Sequence, residues 1–294
     1  KTQIIQEFKR FLSYISNMVK NLDDLGIKSI VDSYDLFFID LWGVVHNGVK
    51  LYDHSIEVLE KLKIAKKEFV LLTNAPRPNY PVTKFLKTLG MNKFFENIFT
   101  SGEAALKYLI NEHKDETFFH VGSIRDYDLF EKFKHKKVSK IQDSNYILCT
   151  GLLEIHDRKS YLNVNLDFYE NLLAEHVSKK MICTNPDLIV DKGNTREYCA
   201  GTVAKLFEQI NGKVIYFGKP YPPVYNLSAN LKNKKVLCIG DNLNTDIKGA
   251  NIQNFDSLLI TNGIHRKEIL ETELNKVLKK YEVNTHYIQK NLKW

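Results

Sequence analysis

Short, wholly apolar runs that end abruptly in a polar residue punctuate this chain. Leu36-Phe37-Phe38-Ile39 gives way to Asp40, Phe69-Val70-Leu71-Leu72 to Thr73-Asn74, and Val236-Leu237-Cys238-Ile239-Gly240 to Asp241. Runs without alternation fit strands covered on both faces, as in a parallel sheet. Between the first two lies a stretch with helical spacing, Ser55 to Lys66, whose apolar positions are Ile56, Val58, Leu59, Leu62 and Ile64. A second helix is expected over Val82 to Leu89, stopped by Gly90. Strand, helix and strand joined by short connections predict an α/β fold with crossover helices on a parallel sheet. Such sheets bind ligands beyond the carboxyl ends of their strands, where these polar residues fall.

The pattern continues with Phe118 to Gly122, Tyr146 to Thr150 and Met181 to Thr184 as strands, and a helix over Lys159 to Glu175. This middle third is expected to form a small α/β unit of its own, dividing the chain into 1–102, 103–193 and 194–294. From 194 onward the pattern reads as a return to the first sheet. A helix over Gly201 to Ile210 precedes a strand at Val214 to Phe217, which leads into Gly218-Lys219-Pro220. Asn242 to Asp246 opens a helix, Ser257 to Thr261 is a further strand, and the tail holds a lysine-rich helix and a short strand. At the other end, Ile4, Ile5, Phe8, Phe11, Leu12, Ile15 and Val19 share one face of an amphipathic helix over Lys1 to Val19. Its mixed-charge opposite face favours packing on the core over membrane attachment or a secretory signal.

Composition narrows the class. With 294 residues, 44% hydrophobic and 26% charged, the chain has room for two ordinary globular units. The net charge of +7 is spread among lysines, and its densest run, Lys132, Lys134, Lys136 and Lys137, reads as a solvated face. There is no arginine-rich arm and no basic stretch interleaved with aromatics, so no nucleic-acid partner is expected. A mild positive field suits an anionic substrate. No apolar stretch reaches the length of a bilayer span, and no membrane partner is expected. Cys149, Cys183, Cys199 and Cys238 lack metal-ligand spacing and read as buried free thiols, which points to a reducing, cytoplasmic setting.

If the sheet is parallel, Asp40, Thr73-Asn74, Lys219 and Asp241 converge on one edge. Two carboxylates can hold a hard divalent cation such as magnesium, with water completing its shell. A lysine and a threonine hydroxyl can take the oxygens of a phosphoryl group, and a carboxylate nucleophile can then form an aspartyl-phosphate. In this order the elements resemble the haloacid dehalogenase-like (HAD) superfamily, class IIA, the group with p-nitrophenyl phosphatase-like and sugar or nucleotide phosphatase-like members. The likeness rests on Asp40-Leu41-Trp42-Gly43-Val44, Leu72-Thr73-Asn74, Gly218-Lys219-Pro220 and Gly240-Asp241-Asn242-Leu243-Asn244-Thr245-Asp246, and covers roughly residues 34–265.

The resemblance implies a Rossmann-like core with an inserted α/β cap, magnesium dependence and a small phosphorylated metabolite as substrate. It implies a nucleophile at Asp40, with Lys219, Thr73 and Asn74 in the catalytic set. Gly43, Thr73, Asn74 and Lys219 would contact phosphate, joined from the cap region by Asn185 and Arg196, the latter clamping a second anionic group. Asp187 and Tyr198 are expected near the same cleft. Metal contacts fall to Asp40, Asp241 and the backbone carbonyl of Trp42, with Asp246 and His46 supporting them from behind. Class IIA caps also make a homodimer an expectation.

Trp42 is the departure. The family's phosphatases carry there a second aspartate that protonates the leaving oxygen. An indole keeps the carbonyl but exchanges no proton near neutral pH, and a missing acid costs on the order of a hundred- to ten-thousand-fold in rate. Slow turnover is therefore expected, with His46 the nearest titratable substitute in sequence, although packing or a loop hydrogen bond suits that residue better. The alternative is a catalytically impaired protein that binds a phosphometabolite in a regulatory role.

Overall fold

In the computed structural model, residues 19–294 are described. The helix expected over Lys1–Val19 lies, apart from its last residue, outside them. Seven parallel strands form the larger sheet. From edge to edge they are Lys20–Asn21, Tyr287–Gln289, Asp256–Ile260, Val236–Gly240, Leu36–Ile39, Glu68–Thr73 and Ile98–Thr100. The pleat explains why the central runs are apolar throughout. Phe37, Ile39, Phe69, Leu71, Leu237 and Ile239 enter the core on one face. Leu36, Phe38, Val70, Leu72, Val236 and Cys238 enter that on the other. Each such side chain contributes about 1.5–3 kcal/mol on burial, so a polar residue inside a run would be costly and one just past its end is not.

A second parallel sheet, Lys213–Tyr216, Lys180–Cys183, Tyr146–Cys149, Phe118–Val121 and Lys137–Val138, stands beside the first. One of its faces packs Val121, Ile147, Cys149, Met181 and Cys183 against Val203, Ala204 and Phe207 of the helix Ala200–Gln209. From its other face Phe118, Tyr146, Leu148 and Ile182 join the cluster that holds Leu36 and Phe38. The two sheets thus share one hydrophobic core.

The strand expected to rejoin the first sheet after residue 193 does not do so. Lys213–Tyr216 pairs in parallel register with Lys180–Cys183, because Ala200–Gln209 covers the second sheet and returns the chain to that sheet's edge. The first sheet resumes only at Val236. The helix expected over Lys159–Glu175 is also shorter, running from Asp167 to Leu173. Asn165 Oδ1 accepts from the Asp167 N–H at 3.0 Å, a local bond that competes with helix before that point. The tail forms the helix Leu274–Tyr281 and the strand Tyr287–Gln289 as expected. All four cysteines are buried and unpaired. Among the described residues, no helix is long and apolar enough to cross a membrane.

Candidate functional site

Asp40, Thr73-Asn74 and Asp241 leave adjacent strands at the carboxyl edge of the larger sheet. Lys219 reaches the same point from the segment that follows the second sheet. All five are buried. Lys219 Nζ donates to Asp40 Oδ1 at 2.5 Å, to Asp246 Oδ1 at 2.7 Å and to the Leu72 carbonyl at 2.9 Å. Its three protons therefore have three acceptors. Asn74 fixes the lysine backbone from both sides: its Oδ1 accepts from the Lys219 N–H at 2.7 Å, and its Nδ2 donates to the Lys219 carbonyl at 3.0 Å. The same Nδ2 donates to Asp187 Oδ1 at 3.1 Å. Thr73 Oγ1 accepts from the Ala75 N–H at 3.3 Å, and Thr73 lines the cleft with Asn74.

Three buried carboxylates, Asp40, Asp241 and Asp246, each place an oxygen within 4.8 Å of the others. Asp241 Oδ2 accepts from the Ile264 N–H at 2.7 Å, and Asp246 Oδ2 from the Asn242 N–H at 3.1 Å. Among the described residues, one ammonium, that of Lys219, bonds to this trio. Burial pushes Asp40 well above the usual carboxylate range against the pull of Lys219. Burial and the charge of Asp246 push Asp241 up to about 8. Lys219 shows the complementary effect: burial opposes its charge, but Asp246 and Asp40 outweigh it and raise its pKa. Three hard oxygen donors with surplus negative charge are a fit for a divalent cation of the magnesium type. Gly43 lets the first loop approach this closely: at φ +84°, a Cβ there would lie 2.1 Å from Asp241 Oδ2.

The roof of the cleft is an antiparallel hairpin, Ile189–Lys192 and Thr195–Tyr198. Trp42 ties it down. The indole Nε1–H donates to the Asp191 carbonyl at 2.6 Å, and the Gly193 N–H donates to the Asn47 carbonyl at 3.2 Å. The ring lies so close to Gly48 (φ +80°) that a Cβ there would meet it at 2.4 Å. His46 packs edge-on against Trp42 and Phe85, and its Nδ1 accepts from the Gly48 N–H at 2.9 Å. Burial pushes its pKa down to about 4, so it is neutral. Its place is beneath the loop, outside the residues that line the cleft.

The cleft encloses about 280 Å³. Of the residues singled out in the sequence, Asp40, Trp42, Gly43, Thr73, Asn74, Asp187, Lys219, Asp241 and Asp246 line it. Asn185 does not; its Oδ1 accepts from the Asp187 N–H at 3.0 Å and shapes the turn. Arg196 does not either. It faces Asp191 across the hairpin, with Nε to Oδ1 at 2.7 Å and Nη2 to Oδ2 at 3.1 Å, and a further bond from Nη2 to the Ile264 carbonyl at 3.2 Å. Tyr198 lines a neighbouring cavity. The arginine that lines the cleft is Arg266, whose Nη1 donates to Asp191 Oδ2 at 2.7 Å. Neither Asp191 nor Arg266 was singled out in the sequence. Their partnership spans 75 residues and no periodic run points to it.

The chain is similar to known proteins. Residues 37–136 match the profile of the haloacid dehalogenase-like hydrolases, and residues 216–293 a HAD-hydrolase-like profile. The chain is 27% identical over 285 residues to phosphoglycolate phosphatase 1A, chloroplastic, of Arabidopsis thaliana, covering 89% of this chain and 76% of that protein. It is 22% identical over 253 residues to an acid sugar phosphatase of Staphylococcus epidermidis, covering 82% and 91%. Among solved structures, a hydrolase of the haloacid dehalogenase-like family from Brucella suis 1330 superposes with a TM-score of 0.76 at 26% identity, covering 91% of this chain and 98% of that one. The chain belongs to the haloacid dehalogenase-like hydrolases, class IIA.

Proposed function

We propose that this hydrolase removes phosphate from small phosphomonoesters, with Asp40 as nucleophile and magnesium as its metal. The observation that carries the reading is the buried Lys219 ammonium shared by Asp40 and Asp246, with Asp241 alongside, at the floor of the cleft. Relatives whose names include phosphoglycolate phosphatase, acid sugar phosphatase and 5'-nucleotidase support a phosphorylated small molecule as substrate. The second sheet with its hairpin serves as the cap in this reading.

Asp40, Asp241 and the Trp42 carbonyl would hold the metal, which when bound supplies positive charge to the phosphoryl oxygens. Lys219 adds a fixed positive charge beside Asp40 and keeps that carboxylate oriented. An Asp40 oxygen forms a bond to phosphorus while the ester oxygen leaves with the bonding pair and takes its proton from solvent water, giving an aspartyl-phosphate and the free alcohol. Water then attacks phosphorus, releasing phosphate and restoring Asp40. Thr73 presents its hydroxyl to the phosphoryl group from the adjacent strand end, while Asn74, whose amide protons go to the Lys219 carbonyl and Asp187, holds the lysine in place. Trp42 gives the leaving oxygen no proton, and His46 is neutral and set beneath the loop, so alkyl esters turn over slowly. The committed Trp42–Asp191 bond also favours a second reading, a phosphometabolite-binding protein of negligible turnover.

The test is phosphate release from a panel of phosphorylated metabolites with magnesium. Asp40→Asn is expected to abolish release while leaving the thermal transition in place. Release that survives this substitution would refute the nucleophile assignment. An inactive wild type that binds the same compounds would favour the second reading.

A further inference from the structure

Asp191 holds two guanidinium groups, Arg196 from its own hairpin and Arg266 from the far side of the cleft. Burial pushes its carboxyl up, but the hydrogen bonds from Arg196 and Arg266 outweigh this and hold it below the usual range. Two guanidinium charges against one carboxylate leave a surplus of one positive charge. Arg196 commits Nε and Nη2 to Asp191 and the Ile264 carbonyl and does not line the cleft. Arg266 does line it. Its Nη1 bonds Asp191 and the Gly263 carbonyl, while Nε and Nη2 make no hydrogen bond within the described residues, and its side chain is 37% exposed in the cleft wall. A guanidinium with donors to spare, fixed at one nitrogen, is a receptor for a carboxylate or a second phosphate.

Size decides between those anions. At about 280 Å³ the cleft falls just below the range for small-molecule sites, roughly 300–1,000 Å³. The hairpin is pinned at that distance from the floor by Trp42 and Gly193. A nucleotide or a bisphosphorylated sugar would have to break those bonds.

We propose that Arg266 is the specificity residue of this cleft, and that it selects small phosphomonoesters bearing a carboxylate a few bonds from the phosphate. This rests on the phosphatase reading above and names its substrate class. Asp191 positions Arg266 and Arg196 keeps Asp191 ionised, so the guanidinium is oriented before substrate arrives.

The experiment compares 3-phosphoglycerate with glycerol 3-phosphate, which differ by a carboxylate in place of a hydroxymethyl group. The wild type is expected to favour the acid in kcat/KM by roughly 10- to 100-fold, the value of one charge-assisted bidentate contact. Arg266→Gln should bring that ratio near unity, and Arg266→Lys should keep part of it, which a purely structural role would not do. Calorimetric binding of both compounds to the protein with magnesium provides the same ratio without turnover. If neither compound is hydrolysed but binding still favours the acid and depends on Arg266, the hydrolysis reading fails and the specificity assignment stands. Equal kcat/KM and equal affinity for the pair, or a preference that survives Arg266→Gln, would overturn the assignment.

Discussion

On the phosphatase reading proposed above, replacing Trp42 by aspartate supplies the missing acid, and the structure sets the cost. A positioned acid contributes on the order of 10²–10⁴ in rate, about 3–5 kcal/mol of barrier. The cost is the indole bond to the Asp191 carbonyl, worth about 1 kcal/mol, and the packing of a half-buried ring against His46 and Gly48. Full removal of a buried tryptophan costs about 3–5 kcal/mol, so roughly 3 kcal/mol is expected here, less than a typical domain's stability. Trp42→Asp should therefore fold, with a lowered melting temperature. The assay is phosphate release with magnesium on glycerol 3-phosphate and on p-nitrophenyl phosphate, whose leaving group needs no proton. The alkyl ester should gain about 100-fold or more and the aryl ester less than about tenfold. Trp42→Asn opens the same space without an acid and should show none of this selective gain. A folded Trp42→Asp protein that accelerates both esters alike, or neither, would refute the claim that the missing proton limits the wild type.

Lys219→Met would leave Asp40 and Asp246 without their shared counter-charge, at a cost of about 3–5 kcal/mol by urea denaturation near neutral pH. A loss under about 1 kcal/mol would show that the ammonium is not what holds the two carboxylates. His46 gives a pH prediction. Burial lowers its pKa to about 4 in the folded protein, against about 6.5 when unfolded. Between those values the unfolded chain binds the proton and the folded one does not, so stability falls as pH drops through that window. About 2 kcal/mol should be lost by pH 5. His46→Gln should flatten that fall, and parallel pH curves for variant and wild type would exclude His46 as its source.

The floor of the site was legible because its residues terminate apolar runs. Asp40, Thr73, Asn74 and Asp241 each follow a buried strand, and a parallel sheet turns that local coincidence into proximity. Lys219 was legible for a weaker reason, its place beside Gly218 and Pro220, because the strand before it belongs to the second sheet. Nothing in Val214-Ile215-Tyr216 marks which sheet edge will accept it, and the boundary expected at 193 missed it accordingly. The roof was less legible. Arg196 was expected near the cleft by family resemblance, as a clamp for a second anionic group, yet its cross-strand partner Asp191 engages it instead. Arg266 opens the short helix Arg266–Glu271, which no apolar periodicity in the sequence flagged, and only the folded chain brings it to the cleft.

The strand order carries a consequence for how the molecule is made. The second sheet uses strands drawn from 118–216, one continuous stretch, whereas the middle of the larger sheet joins Leu36–Ile39 to Val236–Gly240. During synthesis the insert can complete its own pairing while the host sheet still lacks its central neighbour. Until residue 236 emerges, Leu36–Ile39 presents an open edge and apolar faces to anything nearby, the condition that favours misassembly. Asp40 and Lys219, 179 residues apart, meet only within that late closure. The chemistry of the cleft is thus acquired late, after the insert has paired its own strands.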